Sequence, residues 1–152
     1  MKRVILSVVF LSVCLAAGAQ KLMMGKRAPE LRVVQWYQDA LPRDGFPRYV
    51  EFFLTTSRPS LERVGEIDKL ARRYGAKMDV VLLFKEKPED ILPHLNPSSD
   101  GPLIAFDNDG KSFKNFEVQY LPFAVLIDGK GVLMWSGNPS TLSDEQLEKM
   151  LK

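Results

Sequence analysis

Apolar and polar positions along this chain predict a strand that runs directly into a helix. Tyr49-Val50-Glu51-Phe52-Phe53-Leu54 is short, mostly apolar, and rich in aromatic and branched residues, which suits a strand covered on both faces. The next segment, Ser57-Arg58-Pro59-Ser60, turns the chain, with Thr55, Thr56 and Ser57 offering hydroxyl caps. From Leu61 the apolar positions fall at Leu61, Val64, Ile67, Ala71 and Tyr74, a helical stripe. Glu62, Arg63, Glu66, Lys69, Arg72 and Arg73 take the wet side, and Gly75 closes the helix as a C-terminal cap.

The flanking patterns extend this unit into a sheet. Leu31 to Tyr37 reads as an outer strand, and Asp39 to Pro47, with two prolines and a glycine, as a loop back to the Tyr49 strand. Met78 to Phe84 is a second buried strand, and strand-helix-strand order at this length implies a parallel crossover between neighbours. A short helix with Pro88 in its first turn ends near His94, Asn96 to Pro102 is turn chemistry, and Leu103 to Phe106 is a brief strand. Ser112 to Phe116 allows one or two helical turns. Phe123-Ile127 and Val132-Ser136 flank Asp128-Gly129-Lys130-Gly131, a β-hairpin signal, and Ser143 with Gln146 opens a last helix as a capping box. Trp36, Trp135 and Phe52, Phe53, Phe84, Phe106 and Phe123 are candidate core or rim aromatics. The pattern predicts an α/β fold, a mixed β-sheet with helices on both faces.

Composition changes this picture at one end. The chain has 152 residues, 45% apolar and 26% charged, enough for one globular core. Lys2 and Arg3 precede an apolar run from Val4 to Leu15, and Ala17-Gly18-Ala19 follows, the pattern of a secretory signal peptide cut before Gln20. Residues 1–19 are thus expected to be a signal peptide and residues 20–152 an exported, periplasmic domain. Without Lys2 and Arg3 the 21 basic residues fall to 19, equal to the 19 acids, so no electrostatic case for nucleic acid or an anionic membrane survives. The only cysteine is Cys14, which leaves residues 20–152 without a thiolate or a disulfide. Lipid attachment at Cys14, the alternative to a soluble exported chain, is disfavoured by Val13, where a small residue is expected.

The Ser57-Arg58-Pro59-Ser60 turn resembles that of thioredoxin-like proteins, in particular the TlpA-type exported thiol-disulfide proteins, whose strand runs into a C-x-x-C motif at a helix start. Gly25-Lys26-Arg27-Ala28-Pro29 resembles the family's opening segment, Tyr120-Leu121-Pro122-Phe123 its cis-proline loop, and Phe123 to Gly137 its closing hairpin. The resemblance implies that Ser57 and Ser60 stand at the two cysteine positions, with Pro59 as the motif's proline. It also implies a cis Leu121-Pro122 bond facing Ser57, where an extended peptide can pair with exposed backbone. Two readings of Leu121 and Pro122 stay open: a peptide groove, or an inherited element of the fold. The expected function is a non-catalytic protein- or peptide-binding module that has lost its redox dithiol, with Arg58, Pro59, Leu121 and Pro122 as binding positions and no cofactor. The alternative is the family's own activity, thiol-disulfide oxidoreduction, which needs an attacking and a resolving sulfur.

Other chemistry finds little support in the residues. A nucleophilic Ser57 would need an adjacent base, and the sole histidine, His94, is remote in sequence. Hydroxyls capping a helix account for Ser57 and Ser60 without catalysis. Arg58 at a helix start could assist an anion or stand solvated on the turn. With no second histidine and no cysteine beyond Cys14, no metal site is expected.

Overall fold

The computed structural model describes residues 22–37, 39 and 41–152, so the expected signal peptide and Cys14 lie outside the described residues. Six strands form one mixed sheet in the order β1-β4-β3-β2-β5-β6. These are β1 (Gln35–Trp36), β2 (Arg48–Phe53), β3 (Asp79–Phe84), β4 (Leu103–Phe106), β5 (Phe123–Ile127) and β6 (Leu133–Gly137). β2, β3 and β4 run parallel, whereas β1, β5 and β6 pair antiparallel with their neighbours. Among the described residues, five α-helices complete the fold: α1 (Arg58–Leu61), α2 (Val64–Tyr74), α3 (Pro88–Ile91), α4 (Lys111–Asn115) and α5 (Asp144–Met150).

The continuous apolar runs of β2 and β3 have two covered faces. Tyr49 and Phe53 point to one face, where Ile67, Ala71 and Tyr74 of α2 and Leu147 of α5 pack on them. Val50 and Phe52 point to the other, against Phe113, Phe116 and the segment holding Leu31 and Val33. The Phe52 ring meets Phe113 edge-on at 5.1 Å and Phe123 at 5.8 Å, which fixes α4 and the start of β5 against the sheet. Gly25 and Ala28 donate backbone hydrogen bonds to Leu133 and Gly131, so the opening segment lies along β6.

Local chemistry explains the ends of these elements. The Ser143 and Gln146 capping box is formed at α5. In the hairpin, the Asp128 side chain accepts the Lys130 and Val132 N–H groups, and Gly131 supplies the positive φ of 84°. Gly75 is the C-cap of α2 as expected, although its backbone is right-handed and its N–H bonds the Ala71 carbonyl.

Three expectations need correction. The outer strand is two residues long rather than seven, since only Gln35 and Trp36 pair with β4. The helix is two pieces, and its stripe begins at Ile67: Leu61 and Val64 are 49% and 42% exposed. Arg63, assigned to the wet side, is instead inserted beneath the helix. Its Nε and an Nη donate to Glu51 at 2.6 and 3.1 Å, and the Tyr49 hydroxyl donates to Glu51 at 2.7 Å. The physical reason is Glu51 itself, a fully buried carboxylate in a central strand that requires a cation and donors. The ion pair occupies the sheet face below the first helical turn, and Leu61 and Val64 instead border an opening with Phe53, Phe84, Ile91 and Leu95. Burial acts to lower the pKa of Arg63, but the hydrogen bond and charge of Glu51 outweigh it and raise it. Burial, then the Glu51 charge, pushes the Tyr49 hydroxyl well above its ordinary range.

Candidate functional site

The parallel strands β2, β3 and β4 end together, and the segments that leave their carboxyl ends wall a cleft of about 610 Å³. Such a strand end is where ligands of α/β sheets commonly bind. From β2 come Leu54, Ser57 and Pro59; from β3, Lys85; and from the turn after β4, Gly110 with Phe113 and Lys114 of α4. The loop before β5 closes the far side with Val118, Gln119, Tyr120 and Leu121.

Ser57 is the N-cap of α1, with Pro59 in the first helical turn, where a missing N–H costs nothing. The Ser57 Oγ accepts the Ser60 N–H at 3.4 Å and the Ser60 hydroxyl at 3.1 Å. Ser60 is fully buried and Ser57 partly exposed, so only Ser57 reaches the cleft. The turn is tied to β3 through Thr55, whose N–H and hydroxyl donate to Glu86 at 2.6 and 2.8 Å.

Across the cleft, the Leu121-Pro122 peptide is cis. Among the described residues, no hydrogen bond engages the backbone N–H or C=O of Leu121. Of the residues singled out from the sequence, Ser57, Pro59 and Leu121 line the cleft, with Ser60 packed beneath Ser57. Pro122 is not part of the lining, and Arg58 points away: its side chain is 90% exposed and pairs with Glu62 at 3.2 Å. His94 sits in a 3-10 turn, Leu92–His94, outside this cleft. No group of three or more His, Cys, Asp or Glu among the described residues could hold a metal ion, and no described helix is long and apolar enough to cross a membrane.

Sequence reasoning missed Lys85, Phe113, Lys114 and Tyr120 as lining residues. Lys85 had a signal, because it directly follows the last residue of a parallel strand. Phe113 and Lys114 depend on a cap that fixes α4. The fully buried Asp107 accepts the N–H groups of Lys111, Ser112 and Phe113 at 3.1, 2.8 and 3.1 Å, while the Ser112 hydroxyl donates to the Arg32 carbonyl at 2.7 Å. Burial pushes the Asp107 carboxyl from its ordinary 3.8 up to about 6, helped by Asp109 and opposed by the Phe113 and Ser112 N–H donors. The folded value exceeds the unfolded one, so folding takes up a proton between pH 3.8 and about 6. This contribution to stability is full below the lower value and lost as pH rises through the upper. Carbon-13 NMR of the Asp107 carboxyl should show a midpoint near 6, and a midpoint near 3.8 would refute the assignment.

Neither a protein-family profile nor a curated protein matches the sequence. Solved structures do match the fold. A protein described as a thiol:disulfide interchange protein DsbE of Chlorobium tepidum is similar with a TM-score of 0.70 at 19% identity, over 86% of this chain and 99% of that one. A thiol-disulfide isomerase of Corynebacterium glutamicum gives 0.67 at 20% identity, over 84% and 94%. The exposed lipoprotein thioredoxin Etrx1 of Streptococcus pneumoniae gives 0.60 at 16% identity, over 71% and 84%. The chain therefore has the thioredoxin-like fold. Within that fold it carries a turn of sequence S-R-P-S, with two hydrogen-bonded hydroxyls and no sulfur.

Proposed function

We propose that this protein is an exported, redox-inactive thioredoxin-fold module that binds an extended segment of a protein or peptide in the cleft between Ser57 and Leu121. The observation that carries the reading is the cleft itself: an opening of about 610 Å³ lined by Leu54, Phe113, Tyr120 and Leu121 beside a turn that holds only hydroxyls. The unengaged backbone of Leu121 supports an extended ligand, because such a ligand pairs through main-chain hydrogen bonds and uses its side chains for specificity. Export is supported by Lys2, Arg3, the Val4 to Leu15 run and Ala17-Gly18-Ala19. Thiol-disulfide exchange at this turn lacks both of its sulfurs. The test combines an insulin-reduction assay with amide NMR of residues 20–152 during panning-derived peptide titration. No turnover, with shifts at Ser57 and Leu121, is expected; turnover above the uncatalysed rate would overturn the redox-inactive reading.

A further inference from the structure

We infer that the segment bound by this cleft is acidic, carrying aspartate or glutamate side chains between apolar ones. This inference rests on the reading of the cleft as a peptide site and adds the chemistry of the ligand. Lys85 and Lys114 both line the cleft, and none of its lining residues is acidic. Neither lysine has an ion-pair partner among the described residues. Of the neighbouring acids, Asp107 is held by three backbone N–H groups, Asp109 by Arg32 and Lys111, and one Glu86 oxygen by Thr55; the other Glu86 oxygen is buried without a hydrogen-bond partner, and the exposed Glu117 forms no ion pair with either lysine.

The cleft also makes room for one of these cations. Gly110 adopts a φ of 69°, and a Cβ there would lie 3.0 Å from the Lys85 Cε. With glycine at that position the Lys85 stem lies along the wall, and its ammonium stands 5.8 Å from the Phe113 ring centroid. Two unpaired ammonium groups beside Phe113 and Leu121 complement a strand whose side chains alternate in direction, so that carboxylates meet the lysines while apolar neighbours meet the rings and Leu121.

A cysteine-free random heptapeptide library displayed on phage, panned against residues 20–152 at low salt, tests this. Enrichment of Asp or Glu beside apolar residues is expected. The consensus peptide should bind about 2- to 30-fold more tightly than its Asn/Gln counterpart, the combined effect of two exposed ion pairs. That ratio should fall towards one in added salt and in the double variant Lys85→Gln/Lys114→Gln. A consensus free of acids whose amide footprint still covers Ser57 and Leu121 would overturn the charge inference and leave the peptide site standing. Failure to enrich any sequence with that footprint would overturn the peptide site, and this inference with it.

Discussion

Arg63→Met is expected to lower the unfolding free energy by about 3–5 kcal/mol, because it strands a buried carboxylate. Glu51 is fully buried, and Arg63, 17% exposed, supplies two of the three donors that reach it. The remaining donor, the Tyr49 hydroxyl, cannot neutralise the charge. The loss belongs to the orphaned Glu51 rather than to the net value of the pair, and this distinction can be measured. In the triple variant Tyr49→Phe/Glu51→Leu/Arg63→Met no polar group is left behind, so most of the stability should return. Urea unfolding with an unchanged m-value reads both outcomes. A single variant within about 1 kcal/mol of wild type would mean that Arg63 does not compensate Glu51.

The same ion pair shows where the sequence misleads. A charged residue on a helical wheel reads as solvated, and Arg63 does so until Glu51 is taken seriously as a carboxylate in the middle of an apolar strand. That conflict was visible in the sequence; its partner was not, since 12 residues and a change of element separate the two. The strands β2, β3, β5 and β6 were legible because buried runs and a glycine-bearing turn leave few alternatives. The outer strand was not, because its seven residues include an exposed Val34 and Tyr37 and only two pair with β4. At the cleft, Ser57, Pro59 and Leu121 are brought together from two distant segments, whereas Lys85 and Lys114 become neighbours only through the parallel order β2-β3-β4. Which residues leave the carboxyl ends of adjacent strands is a property of the strand order, and local periodicity carries no information about it.

Replacing both turn serines, Ser57→Cys/Ser60→Cys, is expected to create a thiol pair that closes reversibly into an internal disulfide. The two hydroxyl oxygens are already 3.1 Å apart and hydrogen-bonded, so the side chains converge without any rearrangement of the turn. A disulfide tolerates Cα separations of about 4.4–6.8 Å, a range that suits the N-cap and a residue one turn later. The buried Ser60 and partly exposed Ser57 then define separate roles: a thiol at residue 57 is open to attack from the cleft, and one at residue 60 is placed to resolve. The Ser60 N–H that now reaches Ser57, together with Lys85 on the same cleft, favours the thiolate at residue 57 and should hold its pKa below the free value of about 8.5. Arg58 contributes little, since it is 90% exposed and paired with Glu62. Alkylation rates across pH and thiol counts before and after reductant measure these properties, and insulin reduction should rise from the uncatalysed rate to a measurable one. If the double variant forms no internal disulfide, or its residue-57 thiol titrates no lower than a free cysteine, then the S-R-P-S turn lacks the geometry of a redox turn, and the loss of sulfur is not the only step separating this chain from exchange chemistry.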